Sequence, residues 1–391
     1  MKAQENSVKI NFFKKIFIKA CRILGYEIID QSNFYVPSQK KTLQENLNIH
    51  GKKSITLPLG ETKITRKVVA LTVIFRSCTS INMLTQNKKR LFDQNKSEYT
   101  FRSLNSIIKS LNYAKKSLPN IKFDIVVIDH DSKKEDLEQI KKQLKESNIE
   151  NSIILLDVNE FIKNIKKTNA KNENVTKNQM SNMSNIFKSF QTAKNQCNDL
   201  INLNVNDFSK DIKTLNAKNE KVTANQMSNM SNIHKSLLIA KEQSNDLIYF
   251  VEDDYLHELD SISEMIFAYE RISSQLSREL ILCPADYPYL YTKVDPTNIF
   301  LGANKHWRKI DETLCTFLTS KILLAKYWKK FISMCQFEHY PFEQPLHDIY
   351  KTEYCLSPIP SLAFHCTNVN SIYGLSPNTD WKKIWDESGD F

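Results

Sequence analysis

Three carboxylates follow one another at Glu252, Asp253 and Asp254, directly after the apolar run Leu247–Val251. A strand that is buried on both faces tolerates ionised groups only at its end, where solvent or a ligand meets them. Adjacent carboxylates repel one another unless a cation offsets their charge, and hard oxygen ligands of this kind favour Mg²⁺ or Mn²⁺. Because Mg²⁺ is usually shared with substrate phosphates, the cluster predicts a metal site for a nucleotide-bearing substrate.

The elements that would position these acids alternate between strand and helix patterns. Continuous apolar runs of strand length are separated by segments with apolar residues at helical spacing, which predicts a parallel sheet covered on both faces. In such sheets the ligand crevice lies at the carboxyl ends of the strands, where the acids occur. The predicted strands and helices of the N-terminal half are Lys67–Ser77, Tyr99–Ser117, Phe123–Ser132, Lys134–Glu146 and Ser152–Val158.

The middle of the chain contains an internal duplication. The segment Asn169–Ile201 reappears as Asn216–Ile248, 47 residues later, and the similarity extends back to give copies at about 157–203 and 204–250. Two copies are too few for a solenoid, so the pattern predicts a tandem duplication within one domain. The methionines and aliphatics of the second copy follow helical spacing, which favours core packing. Only the second copy continues into the acids, so the first is expected to be an insertion without chemistry.

Composition excludes some classes of protein. The formal charge is +10, but the lysines are scattered and form no dominant basic block, so no nucleic-acid partner is predicted. The eight cysteines include no CxxC or zinc-type spacing, which indicates reduced thiols and a cytoplasmic setting. No apolar stretch is long enough to span a membrane.

The N-terminus predicts a short basic amphipathic helix within Ile10–Ile29 that ends near Gly25. Such a helix can pack on the body of the protein or adsorb to the inner face of an anionic membrane, and both alternatives stay open. Residues 1–65 are therefore interpreted as this helix and a connector. Residues 66–391 are interpreted as one α/β domain that holds the duplication.

The order of the segments resembles that of glycosyltransferases with the GT-A fold, close to the family-2-like bacterial enzymes. "LTVIFRS" resembles their opening strand, "VVIDHDS" the nucleoside-binding strand, and "IYFVEDDY" the strand that ends in a DXD-type metal motif. The resemblance implies an α/β, Rossmann-like, mostly parallel sheet with helices on both faces. It also implies a nucleotide-sugar donor held by Arg76, Ser77, Asp129, Asp131 and Asp253, and a divalent Mg²⁺ or Mn²⁺ held by Glu252, Asp254 and His365.

The resemblance continues to the C-terminus. "CTFLTSKILL" resembles the strand-to-helix element behind the acceptor site, "PFEQPLHDIY" the helix start that supplies the catalytic base of inverting members, and "YCLSPIPSLAFHC" a late strand ending in histidine. Glu343 is the first candidate for the base and Asp348 the second. Asp286 follows the apolar run "LILC", and "NKHWRK" gives a loop-like stretch with an aromatic face for a sugar and an arginine for phosphate. The predicted acceptor-binding residues are therefore Asp286, His306, Trp307 and Arg308.

The function implied is metal-dependent transfer of a sugar from a nucleotide donor to a glycan or lipid-linked acceptor, with inversion. A nucleotidyltransferase would also use paired acids on a doubly wound sheet. It would normally carry a glycine-rich phosphate loop after the first strand, and the chain has only six glycines. A noncatalytic scaffold that kept the fold is the alternative from another class.

Overall fold

The computed structural model describes residues 12–25, 63–80, 91–158, 224–292, 296–336, 343–366 and 378–390. The chain divides into two units, residues 1–62 and 63–391. In the first unit, helix α1 spans Phe12–Ile23 and the chain leaves it through Gly25, which has a positive φ of 85°. A left-handed residue of this kind ends a helix without strain when it is glycine, so the predicted helix and its end are confirmed.

The N-terminal half of the second unit alternates strand and helix as predicted. The elements are β1 (Ala70–Ser77), α2 (Lys96–Ser117), β2 (Lys122–Asp129), α3 (Lys134–Glu146) and β3 (Glu150–Leu155). All eight residues of β1 are buried, which explains its unbroken apolar pattern. The strands pair in parallel, and Ser77 lies beside Asp129 in register at the carboxyl ends of β1 and β2.

The rest of the unit carries more and shorter elements. They are α4 (Ala224–Gln243), β4 (Leu247–Glu252), β5 (Tyr255–His257), α5 (Ser261–Leu276), β6 (Leu280–Leu282), a 3₁₀ turn (Pro288–Tyr291), β7 (Ile299–Leu301), β8 (His306–Ile310), β9 (Phe317–Ser320), α6 (Lys321–Lys326), α7 (Trp328–Gln336), α8 (Gln344–Tyr350), β10 (Tyr354–Ile359), β11 (Ala363–His365) and α9 (Trp381–Glu387). The prediction of a loop-like stretch around Trp307 is wrong, because this residue lies in β8, hydrogen-bonded between β7 and β10.

In the described ranges, nine strands form one sheet in the order β3-β2-β1-β4-β9-β6-β10-β8-β7, and β5 pairs with β11 separately. Within the large sheet β9 and β8 run opposite to the other strands, as their antiparallel pairings show. The helices flank the sheet as two packed groups: α2 contacts α3 and α5, whereas α4 contacts α6 and α7. The expected fold class, an α/β protein with a mostly parallel sheet covered by helices, is confirmed.

The methionine stripe of the second repeat copy lies in the core. Met227, Met230, Ile233, Leu237 and Ala240 of α4 are all buried, so the prediction of core packing is confirmed. Most of the first copy lies outside the described residues, as does the connector after Gly25. Seven cysteines fall in the described ranges and none of these forms a disulfide, while Cys197 lies outside them. No helix in the described part of the chain is long and apolar enough to cross a membrane.

Candidate active site

The first acid of the cluster, Glu252, ends β4 and pairs with an arginine from the neighbouring strand. Arg76 is its direct partner in the β1–β4 register, and the Arg76 Nη2 to Glu252 Oε1 distance is 3.0 Å. The guanidinium is buried and also donates to the Cys315 carbonyl over 3.4 Å. Burial raises the pKa of Glu252, Arg76 opposes that rise, and nearby Asp254 adds to it. The salt bridge therefore favours the ionised carboxylate, against the effect of burial.

The second acid, Asp253, points towards the start of α2. Its carboxylate accepts hydrogen bonds from the Lys96 ammonium, from the Thr100 hydroxyl over 2.9 Å and from the Cys78 backbone N–H over 3.2 Å. Lys96 and Thr100 are four residues apart, so they share one face of the helix. These contacts join the first turn of α2 to the ends of β1 and β4.

The third acid, Asp254, faces a histidine from the small sheet. His365 Nε2 lies 3.2 Å from Asp254 Oδ2, and the Cys366 N–H donates to the Asp254 carbonyl over 2.8 Å. The imidazole stacks on Tyr255 with ring centroids 4.7 Å apart and planes within 8°. The Tyr255 hydroxyl is in turn hydrogen-bonded to that of Tyr287. The β5–β11 pairing thus fixes the histidine against the acid.

Each acid therefore has its own basic partner, and the three partners come from β1, α2 and β11. The prediction of a bound Mg²⁺ or Mn²⁺ beside these acids stays a prediction. Successive residues at a strand end point in different directions, and three bases of the chain offset their charges. In the described residues, no group of three or more His, Cys, Asp or Glu side chains is close enough to hold a metal ion.

The structure separates the two candidates for the catalytic base. Glu343 immediately precedes α8, and its carboxylate accepts a weak hydrogen bond from the Cys315 thiol over 3.5 Å. Burial raises the pKa of Glu343, while the nearby charges of Arg76 and His365 oppose the rise. The carboxylate thus belongs to the electrostatic environment of the acid cluster.

Asp348, one turn further along α8, lies outside this environment. Its side chain is 43% exposed and pairs with Lys351 over 2.6 Å. That hydrogen bond lowers the pKa of Asp348, as expected for a surface carboxylate beside an ammonium. The structure therefore places Glu343 beside the acid cluster and Asp348 away from it.

The predicted nucleoside-binding acids have different surroundings. Asp129 is 3% exposed and accepts hydrogen bonds from the Ser77 hydroxyl over 2.7 Å and from the Ser132 hydroxyl over 2.5 Å. It therefore closes the turn after β2. Asp131 is exposed, has a positive φ of 57° and accepts a hydrogen bond from Ser80 over 3.0 Å. Of the two, Asp131 presents its carboxylate to solvent at the strand ends.

The predicted acceptor residues form a separate buried cluster. Asp286 is fully buried, with Arg308 Nη2 2.8 Å and the Tyr291 hydroxyl 2.6 Å from its two oxygens. Burial raises the pKa of Asp286, and Tyr291 and Arg308 oppose that rise. The guanidinium also lies 3.9 Å from the centroid of the Tyr291 ring, which is half exposed. Tyr291 is thus the accessible member of this cluster.

Trp307 is a core residue and has no exposed face for a sugar. Its indole is fully buried, and Nε1 donates to Glu264 over 3.1 Å. Its neighbour His306 is exposed, as alternation along β8 requires. The structure therefore does not bring Trp307 and His306 together in one binding surface.

Several residues of the site were missed from the sequence: Lys96, Thr100, Cys315 and Thr316. The Thr316 hydroxyl makes two hydrogen bonds to Glu252. It accepts from the Glu252 backbone N–H over 3.1 Å and donates to the Glu252 carboxylate over 3.4 Å. The helix prediction began at Tyr99, three residues after the true start, so Lys96 was placed outside it. The sequence did contain a signal for two of them: Lys96 and Thr100 are four residues apart at the start of a helix that follows the first strand.

No protein-family model and no curated protein matches the chain. Among solved structures, an apo structure of the bifunctional glycosyltransferase WbbM shares 9% identity and a TM-score of 0.29, covering 72% of this chain. The match spans only 35% of the WbbM chain. The galactosyltransferase LgtC, in complex with donor and acceptor sugar analogues, shares 8% identity and a TM-score of 0.33 over 81% of this chain and 95% of its own. A UTP-bound UGPase from Acinetobacter baumannii shares 9% identity and a TM-score of 0.36 over 82% and 92% of the two chains.

Proposed function

We propose that this chain transfers a glycosyl group from a nucleotide-sugar donor to a hydroxyl of a glycan or lipid-linked acceptor, with inversion. The observation that carries the proposal is the meeting of Glu252, Asp254, His365 and Glu343 beside the buried Arg76 at the carboxyl end of β4. Strand ends of an open α/β sheet are where such folds bind their ligands. The site combines fixed positive charge for a diphosphate with a carboxylate for proton abstraction.

Glu343 is assigned as the general base. Inverting transfer requires a group that takes the proton from the acceptor hydroxyl while the donor bond breaks. A buried carboxylate with a raised pKa accepts a proton more readily than an ordinary surface glutamate, and burial provides that shift here. Arg76 and His365 lie close enough to lower the pKa of Glu343 through their charges, so the proposed base is electrostatically coupled to the partners of the acids.

Asp254 and His365, whose carboxylate and imidazole lie 3.2 Å apart, are assigned as the residues that would hold Mg²⁺ or Mn²⁺, whereas Glu252 is paired with Arg76. Two protein ligands are too few to hold the ion alone, so the oxygens of a bound diphosphate would complete its coordination. A cation would also offset the repulsion that raises the pKa of Glu252 beside Asp254. When bound, it would stabilise the departing diphosphate. Asp253 is held by Lys96 and Thr100, so its proposed contribution to donor binding is to fix the turn between Glu252 and Asp254.

The test compares Glu343→Gln with Asp348→Asn in the full chain. Each substitution removes one charge of similar size near α8, but only the first touches the site. A nucleotide-sugar panel with Mn²⁺ and glycan or lipid-linked acceptors is assayed for release of nucleoside diphosphate. We expect Glu343→Gln to lose roughly 10²-fold or more in rate while keeping donor binding, and Asp348→Asn to match the wild type.

Donor binding is followed separately by thermal stabilisation with a nucleotide sugar and Mn²⁺. Asp254→Ala should abolish this metal-dependent stabilisation while the unliganded protein still unfolds cooperatively. Equal turnover of Glu343→Gln and wild type would remove Glu343 as the base. Release of pyrophosphate in place of nucleoside diphosphate would identify a nucleotidyltransferase, and absence of any nucleotide binding would identify a scaffold.

A further inference from the structure

Helix α1 carries large apolar side chains that are exposed. Ile16, Phe17, Ile23 and Leu24 are between 50% and 79% exposed, and Ala20 is exposed as well. At 100° per residue these positions lie on one side of the helix, about 120° wide. Large apolar side chains grouped in this way mark a surface that binds a partner.

The opposite side of the same helix is basic. Phe12–Gly25 contains four basic residues and no acidic one, and the basic positions are 14, 15, 19 and 22. Helical periodicity places positions 14, 15 and 22 opposite the apolar side and position 19 at its border, next to Ile23. An exposed apolar side beside one whose only charges are basic is the pattern of helices that lie in a membrane interface.

We propose that α1 binds the surface of an anionic lipid bilayer, lying in its plane with Ile16, Phe17, Ile23 and Leu24 towards the acyl chains. A helix of 12 residues is about 18 Å long, whereas the hydrocarbon core is about 30 Å thick, so the helix lies on the bilayer and does not span it. Negative lipid headgroups attract the basic side chains, and the acyl chains remove the apolar side chains from water.

A second copy of the chain fits this surface less well. Pairing two apolar faces would bring two helices with four positive charges each close together, and like charges at that range repel. A bilayer removes the same apolar area from water and attracts the charges. The proposal concerns the first unit only, so it stands whether or not the second unit transfers a sugar.

The test measures co-sedimentation of the full chain with lipid vesicles. Wild type should bind vesicles of phosphatidylglycerol mixed with phosphatidylcholine, and added salt should weaken that binding. The double variant Phe17→Gln/Leu24→Gln should bind roughly tenfold more weakly or worse, since it removes apolar area that enters the interface. The matched control is Ile299→Gln/Ile322→Gln, which replaces two apolar residues of the second unit that are also more than half exposed.

A charge variant tests the other side of the helix. Lys15→Glu/Lys19→Glu should lose the preference for phosphatidylglycerol, because two attractive charges become repulsive. Equal binding to pure phosphatidylcholine vesicles would overturn the anionic requirement. Unchanged binding of Phe17→Gln/Leu24→Gln would overturn the proposal, as would a wild-type dimer that this variant dissociates without vesicles present.

Discussion

At the scale of single residues, each of the three acids after β4 lies beside a basic side chain from another element. Arg76, Lys96 and His365 each contact one of them. Desolvation disfavours the ionised form of a carboxylate, and an opposite charge within hydrogen-bond distance favours it, as Arg76 does at Glu252. Arg76 is the most buried of the three bases, so its loss should be the most costly to the fold.

The pair between Arg76 and Glu252 can be tested by stability. Arg76→Met leaves a mostly buried carboxylate without its partner, which should lower the free energy of unfolding by about 2–4 kcal/mol. Urea denaturation measures the loss, and Arg76→Met/Glu252→Gln should recover part of it. Lys122→Met is the control, because Lys122 pairs with Glu150 on the surface and both are more than half exposed. Equal effects of the two single substitutions would contradict the assigned role of burial.

His257 gives the chain a calculable pH dependence. It is buried, its Nε2 lies 2.6 Å from the Tyr249 hydroxyl, and burial lowers its pKa from 6.5 to about 3. Between pH 6.5 and about pH 3, His257 is therefore protonated in the unfolded chain and neutral in the folded chain. The contribution of His257 to stability is fully present above pH 6.5 and falls by about 1.4 kcal/mol per pH unit until pH 3.

The comparison that isolates this group is wild type against His257→Gln. Partly buried carboxylates such as Glu252 and Glu343 have raised pKa values and change stability in the opposite direction, so the wild-type curve is the sum of both effects. Denaturant midpoints at pH 7 and pH 5 should show the wild type losing about 2 kcal/mol more than the variant. Parallel curves would mean that His257 is protonated in the folded chain.

At the scale of elements, the second repeat copy supplies α4 and the first four residues of β4, the strand that places the acids. The copies align so that Asn202 corresponds to Tyr249 and Leu203 to Phe250. Tyr249 is fully buried and bonds His257, so the strand sequence of the second copy is the one the core requires. The two copies are therefore physically asymmetric, because only the second has a tyrosine at the position that the core requires.

Deleting either copy tests that asymmetry. Removal of 157–203 keeps α4 and β4 intact and should change the free energy of unfolding by about 1 kcal/mol or less. Removal of 204–250 preserves the register of the acids but puts Asn202 in the place of Tyr249. Burying an amide there and losing the bond to His257 should cost about 2 kcal/mol or more. Urea denaturation compares the two, and equal stability would show that the copies are interchangeable.

At the scale of the whole molecule, the second unit carries the core and the site. Its first backbone contacts are made by Thr65 and Arg66, whose N–H groups donate to Ser274 over 3.0 and 2.9 Å. The Arg66 guanidinium also bridges Asp246 and Glu279. The contacts that stabilise the second unit therefore begin at Thr65 and Arg66, just before β1.

Truncation tests this division. A chain that starts at Lys63 should unfold at the same urea concentration as the full chain and lose vesicle binding, since it lacks α1. A chain that starts at Lys67 also lacks Arg66, and it should be less stable by about 2 kcal/mol because Asp246 and Glu279 lose their shared cation. If the first truncation already destabilises the protein, residues 1–62 contribute to the core.

Element predictions were accurate where the periodicity was long. Helix α3 was predicted residue for residue, because its amphipathic pattern has no competing interpretation. The second strand was predicted to reach Ser132 but ends at Asp129, since Ser132 donates back to Asp129 and Asp131 takes a left-handed conformation. A turn of this kind depends on side-chain hydrogen bonds, which an apolar pattern does not reveal.

The sequence by itself determined the order of strands and helices, the basic amphipathic α1, and the position of the acids at a strand end. These follow from periodicity and from the cost of burying charge, and both are local properties. Only the tertiary structure decided which base pairs with which acid, that Glu343 rather than Asp348 adjoins the cluster, and that Trp307 is buried. Those outcomes depend on contacts between residues that are far apart in the sequence, as Asp254 and His365 are at 111 positions, and spacing along the chain does not encode such contacts.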